Sequence, residues 1–347
     1  QYSKIISEND LDELYDRWNK QSKENMENTI KLLDDKFNNA PDKSPIFNTA
    51  VTTLSAAKIE KPFKPGVFDL AVMDESSQTD IISSLPIFFR AKRAIIIGDE
   101  KQLFPIVSLS EEKDFNTFLA HNLTEEDYYR YGYLHSSLLS VADNEIKRSN
   151  QKRTMLKEHF RCHPNIIGFS NRYFYNNDLR IKTDTNNNSG LKWVEHSNDC
   201  QPRWSNEGEI AVIIDIISKL LNSKEYSPSQ IGVVTPFREQ ANLLTNHISG
   251  QFGDKVGSVL IASTAHRFQG DEREIMIFSL VAGASMRNST YKWMQEGLSK
   301  NLINVGVTRA KKELIVVGND GEIVKRGGLL KELNDWVKYC NKITDPH

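Results

Sequence analysis

Short, continuous apolar runs, each followed by polar residues and then by a stretch of helical spacing, constrain this chain more than any other feature. The runs are Phe68–Met73, Ala94–Ile97, Ile231–Val234, Val259–Ala262, Ile275–Phe278 and Leu314–Val317. A strand with one wet face alternates apolar and polar residues. An unbroken apolar run belongs to a strand covered on both faces, as in a parallel sheet wrapped by helices. Residues Glu209–Leu221 and Arg238–Ser249 repeat apolar side chains at helical intervals between such runs,. The pattern predicts an α/β protein of doubly wound parallel-sheet lobes.

The 347 residues suffice for two such lobes,. Residues 1–39 lack Gly and Pro and place Leu11, Leu14, Tyr15, Trp18, Ile30, Leu33 and Phe37 near helical spacing,. They predict a helical arm or insertion over 1–45. A polar, Tyr- and Glu-rich stretch from Ser108 to Asn150 separates the strand-bearing portions, giving lobes over 46–148 and 149–347. Lys182–Gly190, with three successive asparagines, reads as a surface loop,.

Hydrophobic residues at 39% and charged residues at 26% match a globular protein and argue against a disordered, collagen-like or coiled-coil chain,. No apolar run approaches the roughly 18–20 residues of a membrane helix, so no membrane partner is expected. Cys162, Cys200 and Cys340 are scattered, which argues against a disulfide framework or a zinc site,. A reducing compartment is expected: cytoplasmic, or nuclear in a eukaryote. The net charge of −2 hides an asymmetry. Residues 1–150 carry 18 Lys and Arg against 25 Asp and Glu, net −7, and the remainder carries 26 against 21, net +5. A polyanion would prefer the second half.

Asp74-Glu75 closes one strand, and Gly98-Asp99, with Gln102 just beyond, closes the next. Ligands of open α/β sheets bind at such carboxyl ends. A carboxylate that holds Mg2+ beside one that activates water is the division of labour phosphoryl transfer requires. Taken alone, an acidic pair after a strand is more often a solvated surface feature.

Further segments follow in order: Asp74–Gln78, Gly98–Pro105, His159–Pro164, Ile231–Arg238, Thr264–Glu272 and Asn304–Lys311. Together they resemble the motifs of the superfamily 1B nucleic-acid helicases, in the Upf1-like branch that includes RNA-surveillance and DNA-replication helicases. Ala50–Ser55 resembles the segment before motif II. The resemblance implies two RecA-like lobes, the first incomplete here, and a parent enzyme that couples ATP hydrolysis to translocation and unwinding. It matches Asp74 to the Mg2+ ligand, Glu75 to the water-activating carboxylate and Gln102 to the γ-phosphate sensor. Arg161 and Arg309 match the arginines directed at the phosphates, Gly270 approaches the nucleotide, and Glu272 takes its ribose. Thr52, Thr53, Pro236, Phe237, Ser263 and Thr264 match positions that contact single-stranded DNA or RNA through its backbone. For these contact residues, ordinary loop capping and packing is the competing reading. His163 and His266 read as local hydrogen-bonding residues in preference to metal ligands.

The chain departs from the family pattern at Ser76, Phe104, Phe160, Cys162, His266 and Gly306, none of them an assigned catalytic charge. His266, in place of a usual Asp, puts one expected contact in doubt. A phosphate-cradling Gly-x-x-x-x-Gly-Lys-Ser/Thr turn is absent: the first glycine is Gly66, and no glycine precedes a lysine,. In the family that turn precedes motif II, so it is expected upstream of Gln1, and these residues alone are expected to be ATPase-deficient. The alternative is a non-catalytic module, derived from a helicase, that binds nucleic acid or a protein partner.

Overall fold

The structure, a computed structural model, describes residues 65–106, 109–184, 190–268 and 271–344. The expected arm over 1–45 and the Ala50–Ser55 segment lie outside them. The chain divides into two compact units. The first runs to Glu100 and resumes over Phe104–Arg153; the second holds Lys101–Leu103 and everything from Thr154 onward. Gln102, expected in the first lobe, therefore sits with the second. The cause is packing: Leu103 is buried in the second unit's core.

In the first unit, β1 (Ala71–Met73) pairs in parallel with β2 (Ala94–Ile96) through α1 (Ile81–Arg90). The Asp80 carboxylate starts α1 by accepting from the Ser83 amide at 2.8 Å,. The expected strand from Phe68 is regular only over β1, with an isolated parallel bridge from Phe68 to Ala91. The polar stretch that separates the lobes proves helical: α2 (Glu111–Ala120), α3 (Glu125–Tyr131) and α4 (Leu138–Arg148). Ser110, Thr124 and Ser137 cap them, the last two through reciprocal capping boxes with Asp127 and Ser140,. Tyr128 supplies the apolar centre, its ring 5.0 Å from Phe115 and 5.4 Å from Phe118, edge-on to both,.

The second unit opens with the short parallel pair β3 (Glu158–His159) and β4 (Arg180–Ile181), between which runs α5 (Pro164–Tyr173). Its main sheet is five-stranded and parallel, with β5 (Leu191–Glu195), β6 (Ile231–Thr235), β7 (Ile261–Thr264), β8 (Arg273–Ser279) and β9 (Ala310–Gly318) in the order β5-β9-β8-β6-β7. Helices α6 (Glu207–Asn222) and α7 (Arg238–Phe252) flank β6 in sequence. Later come α8 (Asn288–Trp293), α9 (Asn301–Thr308), α10 (Asp320–Arg326) and α11 (Leu329–Thr344). The apolar runs split by alternation into two cores. Ile231, Val233, Ile275, Ile277, Ile315 and Val317 pack with Ile210, Ile213 and Ile217 of α6 and Leu244 and Ile248 of α7. Val234, Met276, Phe278, Leu314 and Val316 pack on the other side with residues of α5, α9 and α11. Both faces are therefore covered, and only a run apolar at every position suits that arrangement.

In the second core, Gly306 in α9 packs closely against an aromatic ring. A methyl group there would stand 2.9 Å from the buried Phe278 ring. The departure to glycine at this position is thus matched to a large neighbour. Gly306→Ala should gain about 1 kcal/mol of helix propensity yet lose about 1–3 kcal/mol to overpacking. A net loss in denaturation midpoint, relieved when Phe278→Leu is added, is the expected result.

Candidate functional site

In the first unit, the turn after β1 carries the acidic pair. The Asp74 Oδ1 accepts from the Glu75 amide at 2.8 Å, while the Glu75 Oε2 accepts from the Gln78 Nε2 at 2.9 Å. Both carboxylates are exposed. Glu75 holds a left-handed backbone, φ 51°. This conformation is uncommon for a residue with a Cβ and tends to persist where the surroundings impose it. Those surroundings are visible. The Ser76 hydroxyl donates to the Met73 carbonyl at 2.9 Å, and the Ser76 amide donates to the Ile97 carbonyl at 2.9 Å. Ser76 thus adds a hydrogen bond that alanine would lack. Gly98 permits the close approach, since a Cβ there would lie 3.0 Å from the Ser77 amide nitrogen.

Asp74 has one carboxylate oxygen tied to the turn and offers the other outward. Mg2+ commonly takes one or two carboxylates and fills its remaining positions with water and phosphate oxygens. A single exposed carboxylate at a strand end fits that ion. No cluster of three or more potential ligands occurs among the described residues.

In the second unit, Gln102 is held by its backbone. The Asn301 Nδ2 donates to the Gln102 carbonyl at 2.7 Å, and the Asn304 Nδ2 donates to the Lys101 carbonyl at 2.8 Å. The two asparagines stand three residues apart on one face of α9, and both are buried,. They were not singled out in the sequence, because an amide that grips a backbone carbonyl some 200 residues away leaves no local pattern.

A cationic group gathers around Glu272. Its Oε2 accepts from the Arg161 Nε at 2.6 Å and its Oε1 pairs with the Lys311 Nζ at 2.6 Å. Burial, the largest influence, pushes the Glu272 carboxyl up. The Lys311 hydrogen bond and the charges of Arg161, Lys311 and Arg309 outweigh it, so the group is held below the usual carboxylate range,. Arg309, at the end of α9, is buried, whereas the Arg161 side chain is half exposed. Segments far apart in sequence thus place two guanidiniums and an ammonium about one carboxylate. The ribose role expected of Glu272 must share it with these cations, which use two of its roughly four acceptor positions. Lys311, two residues beyond Arg309, was missed as a site residue although it lies inside a recognised motif.

Cys162, next to Arg161, is sealed: its amide donates to the His159 Nε2 at 2.8 Å, and its thiol reaches the Thr308 carbonyl at 3.4 Å. Burial pushes the thiol up to about 12. The native thiol should therefore resist alkylation at pH 8 and react fully once the protein is unfolded. The sign with pH follows. The folded thiol stays neutral where an unfolded one, at about 9, ionises, so this site withdraws stability as pH rises from about 9 towards 12,.

The remaining candidates meet at the carboxyl edge of the main sheet. Val234 is in register with Ser263 and Thr235 with Thr264, so Pro236 and Phe237 leave β6 beside the end of β7. Phe237 and Ser263 are buried, and Pro236 and Thr264 partly so. Thr52, Thr53 and Gly270 lie outside the described residues. His163 caps α5, its Nδ1 accepting from the Asn165 amide at 3.2 Å. His266 is held below its ordinary value by burial.

Two AAA domain models match the chain, one over residues 6–110 and the other over residues 134–321, the latter more than half its length. The chain belongs to the AAA domain family of the superfamily 1 helicases. The family model thus spans Arg161, the Glu272 cluster and Arg309. Among curated relatives, the chain is 28% identical over 316 residues to the ATP-dependent helicase MG140 of Mycoplasma genitalium, covering 85% of this chain and 27% of the relative. It is 26% identical over 302 residues to the helicase sen1 of Schizosaccharomyces pombe, covering 81% of this chain and 16% of the relative. The chain thus spans about a quarter or less of the length of these relatives.

Proposed function

We propose that the full-length protein hydrolyses ATP, with Mg2+, to translocate along single-stranded DNA or RNA and unwind duplexes. The observation that carries this reading is the group of Arg161, Arg309 and Lys311 about Glu272. A planar guanidinium is a five-donor fork suited to phosphate oxygens, and such an arginine can contribute about 10³ to 10⁵ in rate. Glu272 keeps the cations gathered before a polyphosphate arrives. Family membership supports the same chemistry, and the relatives' names supply the helicase half of the proposal.

Each residue then has a definite task. Asp74 would hold a Mg2+ ion, which would supply positive charge against that of the phosphates. Glu75 orients the attacking water and takes its proton, and Gln102 reports on the terminal phosphate. Arg161 and Arg309 stabilise charge that develops on the transferred group. Pro236, Phe237, Ser263 and Thr264 hold a single strand by its backbone, so recognition is independent of sequence.

The test is steady-state ATP hydrolysis by the full-length protein with and without a single-stranded oligonucleotide. Hydrolysis that requires Mg2+ and rises with the strand supports the reading. Hydrolysis indifferent to nucleic acid, or none with either partner, overturns it.

A further inference from the structure

Phe237 does not stand alone at the sheet edge. Its ring centroid lies 6.2 Å from that of Trp204 and 6.4 Å from that of Trp293, each at an interplanar angle of 40°. Phe237 is the buried member, with 6% of its surface exposed, while Trp293 leaves 46% exposed. A large ring half in water is not explained by core packing. Nor is Trp293 on a loose element. Its helix α8 is fastened inward by Tyr291 and Met294, both buried, and the Tyr291 hydroxyl donates to the Gly327 carbonyl at 3.0 Å.

The other end of the row is maintained at a conformational cost. Arg203 and Trp204 are successive residues with left-handed backbones, φ 67° and 62°. Such a backbone is unfavourable for a residue with a Cβ, and a chain tolerates it where the neighbouring structure fixes it. A tight turn fixes this one: the Gln201 amide donates to the Ser205 carbonyl at 2.7 Å, and the next amide, of Asn206, donates to the buried Gln240 Oε1 at 2.9 Å. The turn therefore delivers Trp204 to Phe237.

Each ring is also preceded or followed directly by a basic residue: Arg203-Trp204, Phe237-Arg238 and Lys292-Trp293. All of these basic side chains are exposed, and none has an ion-pair partner among the described residues. Aromatic faces interleaved with unengaged cations are what a single strand of nucleic acid requires, since each nucleotide brings a flat base and a phosphate. A folded protein partner would supply carboxylates for the cations but no periodic flat rings for the aromatics.

We propose that Trp293 is the stacking platform for a nucleobase, with Phe237 and Trp204 as its rigid backing and Arg203, Arg238 and Lys292 taking the flanking phosphates. Trp293 thereby adds a sequence-tolerant base contact to the backbone contacts at Pro236, Phe237, Ser263 and Thr264. The assignment rests on the nucleic-acid reading given above and extends it to Trp293, Trp204 and their basic neighbours, which that reading does not include.

The experiment compares two single strands of equal length and charge, one carrying bases and one an abasic deoxyribose-phosphate chain, with binding measured by anisotropy on the full-length protein. In the parent, the base-bearing strand should bind more tightly. Trp293→Ala should weaken that strand by about five- to a hundredfold, leave the abasic strand unchanged and keep the same salt dependence. Trp293→Phe should recover most of the loss. Equal weakening on both strands, or undiminished preference for bases in Trp293→Ala, overturns the proposal while leaving nucleic-acid binding intact. Failure of the parent to bind either strand overturns the nucleic-acid reading itself, and the stacking site with it.

Discussion

Replacing Glu75 by Gln is expected to slow ATP hydrolysis by the full-length protein by about 10²- to 10⁴-fold, the range typical of a positioned general base. The substitution preserves shape and keeps an amide oxygen to accept from Gln78, so the turn after β1 should persist. Because the side chain is exposed, stability should change by no more than about 0.5 kcal/mol,. ATP binding should be retained, since binding relies on the metal and the arginines. The diagnostic is therefore a fall in kcat with the affinity for nucleotide preserved. A variant that hydrolyses ATP at the parental rate would remove Glu75 from the chemistry. A variant that loses nucleotide binding altogether would point to a structural role for the carboxylate.

Glu209 should dominate stability as Glu75 dominates rate. It is fully buried near the start of α6, yet it accepts from the Ser279 hydroxyl and, at 3.1 Å to both carboxylate oxygens, from the Val281 amide. The His196 Nε2 lies 2.8 Å from its Oε2. Val281 itself is β-branched with φ 62°, a conformation that needs outside support,. Glu209→Ala would strand these buried donors together, each at about 1–3 kcal/mol, and release the strained residue. A loss of about 3–5 kcal/mol is expected, read as a lower denaturation midpoint of the second unit. Glu209→Gln, which keeps one acceptor oxygen, should lose less. The effect should also reach binding. The loop after β8 runs from Val281 to α8, and Arg326 holds it by donating to the carbonyls of Gly283, Ala284 and Met286. Loosening that loop moves Trp293 off Phe237, so a Glu209→Ala protein still folded in the cold should show weakened preference for base-bearing strands. Unchanged stability would mean that water replaces the carboxylate without penalty.

These residues also show what was readable beforehand. Strands β6, β8 and β9 announce themselves because a strand covered on both faces must be apolar at every position. Strand β5, Leu-Lys-Trp-Val-Glu, is short and mixes charge with bulk as an edge strand does, so no apolar run marks it. Strand β7 begins at Ile261, later than the apolar run suggests. The amides of Val259 and Leu260 both donate back to Val256, which keeps that part of the run in the preceding turn. Helices α2, α3 and α4 hid inside a polar stretch whose capping residues, Ser110, Thr124 and Ser137, were the usable signal.

At the site, contiguous motifs were legible and long-range supports were not. Arg161, Glu272 and Arg309 could be picked from their segments, and the fold supplies their meeting through β3, β8 and α9. The hold of Asn301 and Asn304 on Lys101 and Gln102, the Glu209 network and the row Trp204, Phe237, Trp293 depend on contacts between residues dozens to hundreds of positions apart. Periodicity cannot register such contacts, because it records only what each segment does with its own neighbours.

On the proposed function, the full-length protein is a motor that separates nucleic-acid strands at the expense of ATP. The most direct test of that reading is strand displacement by the full-length protein from a fluorescent duplex with a single-stranded tail. Release is expected with ATP and Mg2+, none with a non-hydrolysable analogue, and none with Glu75→Gln. Release that ignores ATP, or no release by a protein that hydrolyses ATP and binds the tail, would contradict it.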